Sequence, residues 1–253
     1  MTSTFSVAGV DVALRGGGTV HVRPTRPDDA ERLHRLLDGL SDKNRYFRFF
    51  SGGVNLENAA RSLVRAGEGL GLLATSGADG EVVGHGVYFV EPGESHRAEV
   101  AFAIGAEWQA HGLATTLLVE LAQAAAAQGV EVFTAVVLTE NRRMIDVFRH
   151  SGFAVEVRSA AGELHVSFPT VPTPEGARRF AGRERQAAIA AVAHVLHPAS
   201  VAVIGASRRR GTVGAEVLHN LATGGYTGAL AAVNPNAMSI DGLRCFPAIG
   251  DVP

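Results

Sequence analysis

The stretch Glu107–Leu118, with the sequence EWQAHGLATTLL, leads from a polar loop into a helix rich in small and apolar residues. Ser, Thr, Asp and Asn cap the start of a helix best, yet this loop presents Gln109, His111 and Gly112. A helix without a side-chain cap keeps its first N–H groups unpaired, and these groups attract an anion together with the helix dipole. The stretch therefore predicts an anion site. The alternative is an ordinary strand–helix turn in which Gly112 only relieves a packing clash.

The bulk composition limits the classes of protein to consider. The 253 residues are 46% hydrophobic and 19% charged, with a net charge of −2, which is typical of a soluble protein of one or two domains. No apolar run reaches membrane-spanning length, and the N-terminus lacks the pattern of a signal peptide. The single cysteine excludes a disulfide framework. We expect a cytoplasmic protein with no nucleic-acid or membrane partner and, from the histidine spacing, no metal site.

Residues 19–168 alternate between strand-like and helix-like patterns. Hydrophobic periodicity and turn residues predict the order β, α, α, α, β, β, β, α, β, α, β, β. Residues 1–18 are predicted to form a flexible N-terminus. Three prolines then begin a linker, residues 169–197, which continues as a helix.

A second unit is predicted over residues 198–253. It opens with VAVIGASRRRGTVG and reads as strand, glycine loop, helix and strand, which is the beginning of a Rossmann-like wind. Two parallel strands with one crossover cannot bury both faces of such a sheet. We therefore expect a fragment of a longer protein, or a terminal segment that leans on the first domain.

The element order, together with QAHGLA, resembles the GNAT acyltransferase superfamily, whose members carry Q/R-x-x-G-x-G/A before a helix. Gln109, Gly112 and Ala114 fill the three positions, and Ile104 stands five residues earlier at the end of a predicted strand. The resemblance implies an α/β (α+β) fold over residues 19–168, with a mixed, mostly antiparallel sheet. It also implies acetyl-CoA as cosubstrate.

Acetyl-CoA carries a diphosphate that the start of this helix is suited to bind. Gly112 lets the backbone approach the phosphates, and the N–H groups of roughly residues 110–115 would point at their oxygens. The candidate cofactor-binding residues are Phe102, Ile104, Gln109, Ala110, His111, Gly112, Leu113, Ala114, Thr115 and Asn141. Ala110 and His111 depart from the Gly and the Arg or Lys common in the superfamily. Asn141 either bonds the pantetheine arm or caps the next helix.

Acetyl transfer to an amine requires a base, because a lysine ammonium has a pKa of about 10.4. Glu99, in AEVAFAI, is the candidate, ahead of Glu91 and Glu94 in the preceding loop. The alternative is a strand glutamate that faces solvent. We expect a backbone N–H near Phe102 to stabilise the oxyanion. Phe148 stands where many family members carry a tyrosine that protonates the departing thiolate, so no general acid is evident.

The glycine loop of the second unit resembles the CoA-binding domain of NDP-forming acyl-CoA synthetases. The candidate ligand-binding residues are Gly205, Ser207, Gly211 and Gly214, and the later NL and VNP also match. Helix-start N–H groups, Ser207 and the neighbouring arginines would meet phosphates. The alternative is a domain that keeps the fold without the ligand. No catalytic histidine or ATP-binding module supports an active synthetase.

A GNAT unit joined to such a unit is the architecture of Pat-type bacterial protein lysine acetyltransferases, here with the GNAT unit first. The resemblance implies a protein lysine as acceptor, with an AMP-forming acyl-CoA synthetase as the leading substrate and the second domain as a regulator. RYFRFF, residues 45–50, also resembles this subgroup. We expect its aromatic residues in the core, and Arg45 and Arg48 either bordering the acceptor channel or solvated. The alternatives are a GNAT enzyme for a small amine and a non-catalytic acyl-CoA sensor.

Overall fold

Two units make up the chain, one ending at Ala191 and the other beginning at Val192. The computed structural model describes residues 9–15, 18–77 and 80–252. Within these ranges, no helix combines the length and apolar character that crossing a bilayer requires.

The first unit contains the elements predicted for residues 19–168 in the predicted order, preceded by one further strand. Its strands are β1 (Val10–Ala13), β2 (Thr19–Pro24), β3 (Leu70–Ser76), β4 (Glu81–Glu91), β5 (Glu94–Ile104), β6 (Val132–Leu138), β7 (Glu156–Ala160) and β8 (Glu163–Pro169). Its helices are α1 (Ala30–Asp38), α2 (Asp42–Phe49), α3 (Leu56–Leu63), α4 (Leu113–Ala127), α5 (Arg142–Arg149) and α6 (Pro174–Leu196), the last of which continues past Ala191.

Strand β1 corrects the prediction that residues 1–18 form a flexible N-terminus. It pairs antiparallel with β2, with Val10 opposite Val22 and Ala13 opposite Thr19. Four residues carry too short an alternation to be recognised, and the strand is held by a partner that follows it in the chain. Residues 1–8 and 16–17, on which the rest of that prediction falls, lie outside the described residues.

The eight strands form one sheet in the order β1-β2-β3-β4-β5-β6-β8-β7. Every neighbouring pair is antiparallel except β5 and β6, which confirms the mixed, mostly antiparallel sheet. The parallel pair is short: it runs from Arg97 opposite Val132 to Glu99 opposite Thr134 and then stops. Beyond this point the two strands separate and open a gap in the sheet.

Helices cover both faces of this sheet. Helix α4 packs on one face, close to β4, because two glycines remove side chains there. A Cβ at Gly84 would lie 2.9 Å from Leu113 Cδ2, and one at Gly86 would lie 3.1 Å from Leu121 Cδ1. Helices α1 and α3 pack on the opposite face with Leu33, Leu37 and other buried residues. The glycines thus place the start of α4 beside the gap between β5 and β6.

Helix α2 corrects the expectation that its aromatic residues lie in the core. The Ser41 side chain caps the helix by accepting from Asn44 N. Phe49 packs against the α1–α3 core, whereas Tyr46 is 45% and Phe50 38% exposed. The chain leaves the helix at Phe50, which has a left-handed φ of +56°, so Phe50 does not continue the helical face on which Phe49 is buried.

The second unit has a four-stranded sheet in the order β11-β12-β10-β9. Its elements are β9 (Ser200–Ile204), α7 (Val213–Thr223), β10 (Ala229–Val233), β11 (Ser239–Ile240) and β12 (Leu243–Phe246). Strands β9, β10 and β12 are parallel, as the Rossmann-like start predicts. The prediction of only two strands was wrong, because β12 adds a third parallel strand and β11 pairs with it as a hairpin.

Candidate functional site

The N-terminus of α4 is open. Gly112 precedes the helix with φ +89°, and Ala110 also has a positive φ, +66°. In the described ranges no side chain caps this helix, and its first backbone bond runs from Thr116 N to Gly112 O at 3.0 Å. The N–H groups of residues 110–115 find no acceptor among the described residues. Several converging unpaired N–H groups at a helix start suit a phosphate.

Three polar contacts hold this loop in place. Gln109 donates from Nε2 to Ile104 O at 3.1 Å and accepts from Arg143 Nη1 at 2.6 Å. The backbone N of Arg15 donates to His111 O at 3.2 Å. Gln109, predicted to bind the cofactor, therefore also ties the loop to the end of β5.

A pocket of about 960 Å³ extends from the start of α4 into the gap between the diverging strands. Its wall includes residues 100–104 of β5 and 135–137 of β6. It also includes nine of the ten predicted cofactor-binding residues, namely Phe102, Ile104, Gln109, Ala110, Gly112, Leu113, Ala114, Thr115 and Asn141. His111 is the exception and borders a small adjacent cleft. Asn141 caps α5, accepting from Met144 N at 3.2 Å, as one of its two interpretations expects.

Among the three candidate bases, Glu99 is the one that lines this pocket. It lies where β5 and β6 part, is exposed, and has no hydrogen bond or ion pair with the described residues. The two weaker candidates are engaged elsewhere: Arg97 Nε lies 3.5 Å from Glu91 and 3.2 Å from Glu94. Thr134 also donates to Glu91, at 2.7 Å. Glu99 is thus the candidate base that faces the gap.

Arg48 of α2 lies on the same side of the pocket as Glu99. Its Nε and Nη2 atoms are buried and have no hydrogen-bond partner among the described residues. The guanidinium lies 5.1 Å from the centre of the Phe49 ring. Burial lowers the pKa of Arg48 to about 10, although the negative charge of Glu99 opposes the shift. Arg48 therefore remains charged at neutral pH. It borders the pocket, which is the alternative to a solvated side chain that the sequence analysis gave.

His85 of β4 is a buried polar residue that the sequence analysis did not single out. It is 0% exposed, and neither ring nitrogen has a partner in the described structure. Burial, reinforced by the positive charge of Arg48, lowers the pKa of His85 to about 3. The imidazole is therefore neutral at physiological pH. A histidine inside the apolar run VVGHGV was the available signal.

Several other residues of the pocket were also missed. They are Arg15, Trp108, Arg143, Arg179 and Arg183. Arg179 and Arg183 come from α6, which was predicted to be only a linker helix. The signal was their helical spacing with Gly182 and Gln186, which puts all four on one face. Among the described residues, no group of three or more His, Cys, Asp or Glu side chains could hold a metal ion.

Comparison with known families explains this arrangement. The model for the acetyltransferase (GNAT) domain matches residues 19–154, more than half of the chain. The chain belongs to the GNAT acetyltransferase family. A GNAT protein of this kind uses acyl-CoA, which agrees with the phosphate-binding character of the α4 start.

Two relatives of the GNAT unit are Pat proteins. Acetyltransferase Pat from Mycolicibacterium smegmatis is 30% identical over 175 residues, which are 66% of this chain and 51% of Pat. The crystal structure of the GNAT domain of S. lividans PAT superposes with a TM-score of 0.58 at 32% identity. It covers 64% of this chain and 96% of that domain. The chain thus spans about half the length of Pat.

The second unit matches a different family. The model for a CoA binding domain covers residues 199–253. The ADP-forming acetate–CoA ligase II of Archaeoglobus fulgidus is 48% identical over 59 residues, which are 23% of this chain but only 9% of the ligase. The chain thus combines a match to a GNAT domain with a match to a CoA-binding domain, the two resemblances that the sequence carries.

The predicted ligand residues of the second unit form one loop between β9 and α7. Gly205 and Gly211 have φ +76° and +83°, and a Cβ at Gly214 would overlap the Gly205 carbonyl. Ser207 Oγ accepts from Arg209 N at 3.0 Å. A carboxylate also bonds this loop: Glu216 of α7 accepts from Gly211 N at 2.8 Å. Ligand binding by this unit stays a prediction.

Proposed function

We propose that the first unit transfers an acetyl group from acetyl-CoA to the ε-amino group of a lysine in another protein. The observation that carries the proposal is a single pocket that joins the open start of α4 to Glu99 through the gap between β5 and β6. One end offers N–H groups to the diphosphate, and the other offers a carboxylate to the acceptor. The pantetheine arm and the acetyl group would occupy the gap between them.

Glu99 would make the acceptor amine nucleophilic. A lysine ammonium with a pKa of about 10.4 must lose a proton, which Glu99 takes directly or through a water molecule. The amine nitrogen then attacks the thioester carbonyl carbon, forms a C–N bond and loses its second proton to solvent, and the C–S bond breaks. CoA leaves as a thiolate and is protonated from solvent, because a thiol with a pKa near 8.5 departs without a dedicated acid. Phe148, packed 5.4 Å from Phe168 between ring centres, has no proton to give.

The backbone of β5 supports a donor for the oxyanion. Gly105 N bonds to Val83 O on the β4 side, whereas Ile104 O and Ala98 O accept from Gln109 and Thr134 on the other side. Successive residues of a strand direct their backbone N–H and C=O groups to opposite neighbours. The N–H of Phe102 therefore points to the same side as the carbonyl of Ile104, which is the side of the gap. An N–H in that position is suited to stabilise the negative charge that develops on the carbonyl oxygen.

The surface beside the pocket favours a protein as acceptor. Phe47 of α2 and Phe50, which directly follows the helix, line the pocket, and Phe50 and Tyr46 are exposed. Exposed aromatic side chains are enriched in protein interfaces. A relative that carries the name acetyltransferase Pat agrees with this assignment. The sequence resemblance makes an AMP-forming acyl-CoA synthetase the first acceptor protein to assay, beside small amines such as polyamines.

Glu99→Gln tests the proposal. We expect kcat/KM for a lysine acceptor to fall about 100- to 1,000-fold at neutral pH, within the range of general base catalysis. Binding of acetyl-CoA, followed by the fluorescence of Trp108 in the pocket, should be unchanged. Glu94→Gln is the matched control, because that carboxylate pairs with Arg97 outside the pocket. Near-normal turnover of Glu99→Gln across the pH range would remove Glu99 from the role of base.

A further inference from the structure

An arginine cluster beside the start of α4 has no part in the chemistry proposed above. Arg15, Arg143, Arg179 and Arg183 line the same pocket as the open helix start. Arg179 and Arg183 belong to α6, which begins beyond residue 154, where the match to the GNAT family model ends. These two arginines therefore lie outside the segment that matches the GNAT family model.

The first turns of α6 are fixed against the first unit by backbone contact. Gly152 has φ +93°, and a Cβ there would lie 2.7 Å from Gly176 Cα. Thr173 donates from N and from Oγ1 to Gly152 O, each at 3.1 Å. One turn later, Phe180 packs against the core under α4. Arg179 and Arg183 therefore project from a helix that is anchored close to the pocket.

The pocket around this cluster is electropositive. Its wall holds five arginines but only two carboxylates, Glu99 and Asp146. The small cleft beside it, formed by His111, Gly112, Thr115, Phe180, Arg15 and Arg183 among others, has no carboxylate in its wall. Within the described ranges neither Arg15 nor Arg183 forms an ion pair.

Arg183 has capacity for another partner. It donates from Nη2 to His150 O at 3.2 Å and from Nε to Arg179 O at 3.4 Å. Burial and the positive charges of Arg15 and Arg179 lower the pKa of Arg183. Arg179 is paired with Glu175 through Nη2. The charges of Arg15 and Arg183 are not paired in this way, and a phosphate would supply the negative charge that this part of the cluster lacks.

We propose that Arg179 and Arg183 of α6, together with Arg15, bind a phosphate of the acyl-CoA donor. Helix α6 is then part of the cofactor site as well as the connection between the two units. Arginine suits this position because its planar guanidinium can bond a phosphate through two parallel N–H groups. The proposal rests on the proposed use of an acyl-CoA donor by the first unit.

The test is a binding titration that does not depend on turnover. Trp108 is the single tryptophan of the chain and lines this pocket, so its fluorescence reports binding in the first unit only. Titrations with CoA and with pantetheine, which lacks every phosphate, compare wild type with Arg183→Gln. Arg178→Gln is the matched control, because Arg178 is exposed on α6 and does not line the pocket.

We expect Arg183→Gln to weaken CoA binding about 10- to 100-fold, the range for one hydrogen bond between charged groups. Pantetheine binding should be unchanged, and Arg178→Gln should bind both ligands as wild type does. The salt dependence of CoA binding should also become weaker in Arg183→Gln. An unchanged affinity for CoA, or an equal loss for CoA and pantetheine, would overturn the proposal. Wild-type protein that binds CoA but acetylates no amine would refute the transfer proposal alone.

Discussion

The buried histidine of β4 makes a quantitative prediction about stability and pH. His85 has no exposed surface and no hydrogen-bond partner among the described residues, and burial holds its pKa near 3 instead of 6.5. Replacement by Leu removes the titrating group and keeps a side chain of similar volume. Replacement by Gln removes the same proton-binding group but keeps a polar side chain, so it controls for packing.

The magnitude follows from the two pKa values. Below pH 6.5 the unfolded chain binds a proton at His85, whereas the folded chain binds it only as the pH approaches 3. The unfolded state therefore binds more protons, and stability falls as the pH is lowered through this window. Between pH 7.5 and 5.0 this one group lowers the free energy of unfolding by about 2 kcal/mol. In a unit of this size the loss corresponds to roughly 4–8 °C in Tm.

Thermal unfolding of wild type, His85→Leu and His85→Gln at several pH values from 7.5 to 5.0 tests this reasoning. Other titrating groups contribute equally to all three proteins, so the difference in Tm between each variant and wild type isolates His85. We expect both variants to gain on wild type by about 4–8 °C as the pH falls, whatever their stability at pH 7.5. A difference in Tm that stays constant with pH would show that His85 binds its proton equally well in the folded and the unfolded chain, and would refute the argument.

Two further predictions concern the helix start and a buried ion pair. Gly112→Ala should cost about 1–2 kcal/mol of stability at its left-handed φ of +89° and should raise the KM for acetyl-CoA. Gly129→Ala, at φ +85° past the far end of α4, should cost the same stability but leave the KM for acetyl-CoA unchanged. An equal KM for the two variants would argue against the α4 site. Asp29→Asn should cost about 3 kcal/mol in urea unfolding, because Asp29 is 2% exposed and accepts from Arg23 at 2.6 and 2.7 Å. Burial opposes ionisation of Asp29, but the hydrogen bonds from Arg23 and Arg26 N lower its pKa, so its contribution to stability should disappear in acid. Asp28→Asn, at an exposed position, should have little effect on stability.

Local sequence patterns were sufficient where neighbouring residues carry the signal. The strands and helices of residues 19–168 appear in the predicted order, and α4 begins without the side-chain cap whose absence QAHGLA suggests. These features depend on periodicity and on the conformational freedom of single residues. They can therefore be deduced from segments of a few residues.

Predictions failed where the stabilising partner lies elsewhere in the chain. Strand β1 exists because β2 pairs with it, and β12 because β10 does. Tyr46 is exposed on α2, and Phe50 is exposed where the chain leaves this helix with a left-handed φ of +56°. In each case the residues involved are compatible with more than one local structure, and pairing or packing selects one of them.

By itself, the sequence determined the class of fold, the resemblance of the two parts of the chain to a GNAT domain and a CoA-binding domain, and an uncapped helix start that suits a phosphate. Only the tertiary structure decided that β5 and β6 part after Glu99, that Glu91 and Glu94 are held by Arg97, and that α6 carries arginines to the pocket. The reason is physical. Backbone conformation and helix capping depend on adjacent residues, whereas a binding site depends on distances between side chains far apart in the chain, and only the packed sheet and helices set those distances.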